Sequence, residues 1–402
     1  MKKRCFLFLA LFSLLLLSSN SSALAGKLPK RLKEIVEVVE QRYAPDKRTA
    51  VFDLEIKKKR KTITLNGITS VPEAKYELID QLHKLNKKYK IVDNFRLLPD
   101  SMLGDKVYGV VNLSVANIRR KVSFASEMMT QALLGTPVKI LQEDEWYRIQ
   151  TPDDYISWVN SSSVYPMNKA QFNSWNAADK IVVTSHYGFT YEEPDVNSQT
   201  VSDLVSGCIL KYEGDSGNFY KVSYPDGRIA YLSQNEGMLK TKWQNQFNYN
   251  ADNIIKTSKT FMGIPYLWGG TSAKGIDCSG FVKITMFLNG IILPRDASQM
   301  AKVGEKLVVD SVFSNLKPGD LLFFGRKATS EQSERVIHVG IYIGNRKFIH
   351  SQGFVHISSF NPEDKEFDEY NLNRFLGANR ILGHLNSPGI TTIQTNPFYQ
   401  LQ

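Results

Sequence analysis

The chain has 402 residues, of which 42% are hydrophobic and 22% charged, and 50 Lys and Arg outnumber 40 Asp and Glu for a formal charge of +10. At roughly 150 residues per domain this is about two to four domains, and the composition excludes a disordered, collagenous or coiled-coil chain. Three cysteines (Cys5, Cys208 and Cys278) are too few for a disulfide framework or a four-cysteine zinc site, and no metal or cofactor is expected.

Lys2, Lys3 and Arg4 precede an apolar run from Cys5 to Leu17, broken only by Ser13, and then come a Ser-rich stretch and Ala23-Leu24-Ala25. A basic start, a short apolar stretch and a small-x-small end describe a signal peptide, 1–25, with cleavage near Ala25. The stretch is shorter than the roughly 20 residues a spanning helix needs. Cys5 lies before the apolar run, so it is not the acylated cysteine of a lipoprotein. Export to the periplasm or beyond is therefore expected. Lys2, Lys3 and Arg4 are the only charges in 1–25, so the mature charge falls from +10 to +7. No other long apolar run follows, and the mature chain is expected to lack an integral membrane segment.

Residues 27–105 have the pattern of a small α+β domain, to which no chemistry attaches. A helix is expected from Pro29 to Arg42 on the spacing of Leu32, Ile35, Val36, Val38 and Val39, and a second from Pro72 to about Tyr89. Between them, two alternating segments flank Lys57-Lys58-Lys59-Arg60-Lys61, which suits a solvated hairpin tip or, more sharply, a patch for an anionic polymer. Residues 106–165 and 180–245 each run through short strands separated by turn residues, in the same order. They are expected to form two related small barrels. Residues 249–384 change to a helix in front and strands behind, and 385–402 form an irregular tail.

Chemistry concentrates in this last domain. In Gly275-Ile276-Asp277-Cys278-Ser279-Gly280, Asp277 is a plausible N-cap of a helix carrying Phe281, Val282, Thr285 and Leu288. Cys278 then lies in the first turn, at the positive end of the dipole, where its pKa should fall and favour the thiolate. The base is sought among six histidines. His338 lies in Val336-Ile337-His338-Val339-Gly340-Ile341-Tyr342-Ile343, a strand whose hairpin partner is Lys347-Phe348-Ile349-His350. A two-residue loop at Gly344-Asn345 would turn the two histidines to opposite faces. A three-residue loop, Gly344 to Arg346, puts His350 opposite Gly340 and on the face of His338. The three-residue loop is expected, with a left-handed residue at Gly344 or Asn345. His338 then serves Cys278 as general base, and His350 holds its ring. Cys208 has the sequence context of barrel core, and a Cys208–Cys278 disulfide is not expected.

Tyr266-x-Trp268-Gly269-Gly270, Asp277-Cys278-Ser279-Gly280, Leu293-Pro294-Arg295, Pro318-Gly319-Asp320-Leu321, His338-Val339-Gly340-Ile341-Tyr342 and His350 together resemble the NlpC/P60 cysteine peptidases. The match covers about a third of the chain. It implies an α+β protein whose papain-like catalytic domain follows two bacterial SH3-like barrels and an N-terminal α+β domain. The resemblance makes Cys278 the nucleophile, His338 the base, His350 the third member and Tyr266 an oxyanion-hole donor beside the Cys278 backbone N–H.

Two SH3-like domains before this unit resemble the γ-D-glutamyl-L-diamino acid endopeptidases, which act on murein stem peptides. That resemblance assigns Glu127, Tyr155 and Asp277 to the free amine of an N-terminal L-Ala, and sets Trp268, Ser279 and Ser298 against the substrate. The partner implied is a murein peptide, with no nucleic acid, and a monomer is expected. Competing readings are a D,L-endopeptidase or amidase on intact peptidoglycan, or a catalytically silent wall-binding protein. The intact Cys278, His338 and His350 speak against the last.

Overall fold

A computed structural model describes residues 30–85 and 89–401; the expected signal peptide lies outside them. In the N-terminal unit, helices Lys30–Tyr43 and Pro72–Leu85 pack on a three-stranded sheet of Phe52–Lys59, Thr62–Thr69 and Lys90–Leu97. The first two strands form the antiparallel hairpin whose exposed tip carries the basic run, and the third joins in parallel. Leu32, Val39, Leu65, Leu78 and Phe95 are buried in its separate core. Residues 86–88, into which the second helix was expected to continue, lie outside the described residues.

Two seven-stranded sheets follow. The first contains Tyr108–Val111, Val115–Arg119, Met128–Leu133, Pro137–Asp144, Trp146–Gln150, Ile156–Asn160 and Val164–Met167. The second contains Lys180–Val183, Tyr187–Tyr191, Thr200–Val205, Ile209–Ser216, Phe219–Ser223, Ile229–Ser233 and Gly237–Leu239. Numbering the strands of each in chain order, both have the same spatial order: seventh, first, fourth, fifth, sixth, second, third. Bulges also recur at matching points, between Ile118 and Arg119 as between Thr190 and Tyr191, and near Leu141 as near Glu213. A bulge bends its strand and increases the local twist. Cys208 is fully buried in the second barrel, where its thiol meets the Ser114 carbonyl, and both Cys208 and Cys278 are free.

The catalytic region folds around a six-stranded sheet ordered Glu305–Leu307, Phe375–Arg380, Leu321–Arg326, Arg335–Gly344, Lys347–Gln352 and Phe354–Ser359. The helix Cys278–Leu288 packs on the strand Arg335–Gly344. It is apolar around most of its circumference, with Phe281, Val282, Ile284 and Met286 all buried, as a helix must be when protein covers several faces. The core it belongs to continues into the second barrel through Val205, Leu210 and Tyr224. At about 1.5–3 kcal/mol per large apolar side chain, such shared burial fixes the two units together. The tail is anchored as well: Thr391–Thr392 pairs with Ile291–Ile292, and Ile390, Ile393 and Phe398 are buried.

Candidate active site

Asp277 caps the cysteine helix as its spacing predicts. Its backbone is extended, and Oδ1 accepts the Gly280 N–H at 2.7 Å. Oδ2 accepts the Gly269 N–H at 2.9 Å, which ties the preceding Gly-Gly turn to the helix start. Gly280 has to be glycine, because a Cβ there would lie 2.0 Å from the Gly270 carbonyl oxygen. The chain therefore closes tightly around Cys278, whose backbone N–H belongs to the first helical turn and has no partner within the helix.

That closeness reverses one expectation. Burial pushes the Cys278 thiol up to about 12, and the Asp277 carboxylate adds to the rise; the Val339 and Ser279 backbone groups and Arg295 pull the other way without prevailing. The helix dipole is worth at most a kcal/mol or two, less than the cost of desolvating a thiolate. Cys278, the expected nucleophile, therefore rests as a neutral thiol.

The hairpin has the expected pairing with a different turn. Ile341 pairs with Ile349 and Tyr342 with Phe348, so His350 falls opposite Gly340. The turn itself has two residues, Asn345 and Arg346, both left-handed at φ 51° and 60°. A bulge between Tyr342 and Gly344, with Gly344 at φ 97°, supplies the additional residue that a three-residue loop was expected to provide. His338 and His350 share a face, and His338 Nε2 lies 2.8 Å from His350 Nδ1.

A chain of hydrogen bonds fixes which nitrogens carry protons. Ser358 Oγ donates to Asp368 Oδ2 at 3.0 Å and lies 3.0 Å from His350 Nε2. A hydroxyl has one proton, so with that proton on the carboxylate the Ser358 oxygen accepts from His350 Nε2–H. Burial holds His350 far below the usual imidazole range, hence neutral, and its Nδ1 is bare. That nitrogen then accepts His338 Nε2–H, which leaves His338 Nδ1 without a proton. Burial, and secondarily Arg374, bring His338 down to about 3, so its ring rests neutral. The Val339 backbone, one residue along the same strand, lies close enough to Cys278 to favour its thiolate. Ser358 and Asp368 escaped the sequence reading because strand pairing places Ser358 beside His350, and Asp368 reaches Ser358 from the N-cap of helix Glu369–Asn373. Ser358→Ala should lower kcat roughly 10- to 100-fold, the range for groups that orient a ligand through a neighbour, and shift the pH–rate profile. An unchanged kcat and profile would remove the relay.

Cys278 opens into a cleft of about 600 Å³ lined by Arg48, Glu127, Met129, Tyr266, Trp268, Asp277, Ser279, Asp296, Ala297, Ser298, Ala301, Lys302 and the segment 334–337, which includes Glu334 and Arg335. Tyr266 is half-buried there, and burial, with the neighbouring cysteine, keeps its phenol protonated. Trp268, 61% exposed, donates from Nε1 to Glu127 Oε1 at 3.2 Å, and Arg120 contacts the other oxygen at 3.3 Å. Residues 120 and 127 belong to the first barrel, which therefore forms one wall of the cleft. Tyr155 was expected to face the substrate directly. Instead it is only 2% exposed and absent from the cleft lining, and its hydroxyl has no hydrogen-bond partner among the described residues. Arg295 was not among the expected site residues. It is 1% exposed and binds Asp277 through both Nη atoms at 3.1 and 2.6 Å, Ser279 at 2.7 Å and Thr130 of the first barrel at 2.8 Å.

Residues 263–373 match the NlpC/P60 family, and 118–164 match the bacterial dipeptidyl-peptidase Sh3 domain. The chain is 31% identical over 241 residues to the γ-D-glutamyl-L-lysine dipeptidyl-peptidase of Bacillus cereus, covering 56% of this chain and 68% of that one. It is 39% identical over 192 residues to the murein DD-endopeptidase MepS/murein LD-carboxypeptidase of Escherichia coli, covering 45% of this chain and 88% of the other. A crystal structure of an NlpC/P60 family protein from Bacillus cereus shares the fold at TM-score 0.58 and 24% identity, covering 68% of this chain and 99% of that one.

Proposed function

The chain belongs to the NlpC/P60 family, and we propose that it is a cell-wall peptidase acting as a cysteine endopeptidase on the γ-D-glutamyl–L-diamino acid bond of murein stem peptides with a free N-terminal L-Ala. The observation that carries this reading is Glu127: the first barrel delivers a carboxylate into the cleft of Cys278, beside Asp277 and Asp296. Carboxylates walled in next to a nucleophile suit a substrate whose ammonium lies a fixed distance from the scissile bond. The name of the Bacillus cereus relative supports the same bond.

In the proposed reaction, His338 Nδ1 takes the thiol proton as Cys278 Sγ attacks the γ-carbonyl. The developing oxyanion is met by the Tyr266 hydroxyl and the Cys278 N–H. His338 returns the proton to the leaving amine, and water hydrolyses the thioester. Start and end states are both neutral in the thiol and the imidazole, consistent with burial of the pair. Export with removal of residues 1–25 is part of the proposal and rests on their sequence pattern.

The test is incubation of L-Ala-γ-D-Glu-diaminopimelate, and its Lys counterpart, with the mature enzyme. Release of L-Ala-γ-D-Glu is expected, and its absence with both peptides overturns the proposal. An N-acetylated peptide should be cut at least tenfold more slowly, because it cannot present the ammonium these carboxylates require. Preferential digestion of intact murein would favour the competing D,L-endopeptidase or amidase.

A further inference from the structure

The N-terminal unit reaches the cleft through one side chain. Arg48 lies in the segment between helix Lys30–Tyr43 and strand Phe52–Lys59, and it lines the cleft that holds Cys278. Its side chain is 30% exposed. Nη1 donates to Asp296 Oδ2 at 2.8 Å and to Ser298 Oγ at 3.0 Å. Nε and Nη2 clasp the Asp46 carboxylate at 2.8 and 2.7 Å, and Gln299 donates to the same carboxylate at 2.9 Å. The Arg48 carbonyl accepts the Ile156 N–H at 2.6 Å, next to Tyr155. One residue thus joins the N-terminal unit, the first barrel and the catalytic domain.

Two consequences follow from the donor count. Ser298 accepts from Arg48, so its own proton is free to point elsewhere, and it becomes a donor to an acceptor in the cleft. Asp46 and Asp296 outnumber the single guanidinium, which leaves this cluster one formal negative charge in a cleft also lined by Glu127, Asp277 and Glu334 and by the cations Lys302 and Arg335. Burial works against the charge on Asp46, yet the Arg48 side chain and N–H and Gln299 hold its carboxyl down at about 2.

We propose that Arg48 is a specificity-determining positioning residue: it stops the amine end of the cleft, so that a peptide blocked at its N-terminus does not fit, and it holds Ser298 as a donor to the bound peptide. This rests on the proposed function, which sets the substrate amine by the carboxylates of Glu127, Asp277 and Asp296. It also gives the N-terminal unit a role in substrate choice.

The test compares kcat and KM of L-Ala-γ-D-Glu-diaminopimelate with those of its N-acetylated form, for the wild type, Arg48→Ala and Arg48→Lys. Arg48→Ala should narrow the preference for the free amine at least tenfold, mainly through a lower KM for the acetylated peptide. KM for the free peptide should rise several-fold as Ser298 loses its anchor. Arg48→Lys keeps the charge without the planar fork, and its preference should fall between the two. An unchanged preference in Arg48→Ala overturns the inference. So does an equal loss on both peptides, which would mark a structural lesion. A wild type that cuts both peptides equally overturns the free-amine reading itself, a result distinguishable from either.

Discussion

Cys278→Ala is expected to abolish release of L-Ala-γ-D-Glu while leaving the fold intact. Deleting the nucleophile of a coupled catalytic set costs on the order of 10⁵-fold or more in kcat, because its partners have nothing left to activate. The substitution is mild for the structure. It removes one buried sulfur and keeps the helix start, whose cap comes from Asp277 and not from the thiol. Chromatographic assay of product decides the matter: residual activity within tenfold of wild type would show that another group attacks. The resting state of the thiol can be read separately. A neutral thiol far below its pKa should be alkylated by iodoacetamide at a rate that rises about tenfold per pH unit between pH 6 and 9, following the thiolate fraction. A rate already flat at pH 6 would show a preformed thiolate, and the helix dipole would then outweigh burial after all.

Arg295→Leu is expected to give the largest loss of stability. Its guanidinium is buried and spends four hydrogen bonds on Asp277, Ser279 and Thr130. Leucine would fill part of the volume and leave Asp277 as a buried carboxylate with the Gly269 and Gly280 N–H groups and a long 3.4 Å contact from the Ser279 hydroxyl. Breaking a buried pair from one side costs about 3–5 kcal/mol, most of it from the stranded charge. Because Asp277 also caps the cysteine helix, the loss should appear in activity as well as in the urea midpoint. A destabilisation under about 1 kcal/mol would mean that water enters and solvates Asp277. The double variant Arg295→Leu/Asp277→Asn should recover part of the stability, since it removes the stranded charge and keeps an oxygen for the cap.

These two effects separate residues by how they could be found. Cys278 and His338 stand out in the chain because local patterns carry them: a cap followed by helical spacing, and an alternating strand with one polar face. Arg295 was visible only as part of a Leu-Pro-Arg triplet, and nothing in its neighbours says that it is buried against Asp277. Arg48 and Asp368 gave no signal, since a charged residue in a polar segment describes most protein surfaces.

The sequence by itself determined the order of the units, the helix on which Cys278 sits, the cap at Asp277 and the shared face of His338 and His350. Each of these depends on periodicity or on contacts a few residues apart. Tertiary structure decided the protonation state of the thiol, because burial depends on everything that packs over it. It also decided the turn that sets the histidine register: a two-residue turn at Asn345-Arg346 stands where a three-residue loop was expected, and the bulge before Gly344 supplies the additional residue. The membership of the cleft was a tertiary matter too. Arg48 and Ser298, some 250 residues apart, meet across 3.0 Å only because three units fold against one another.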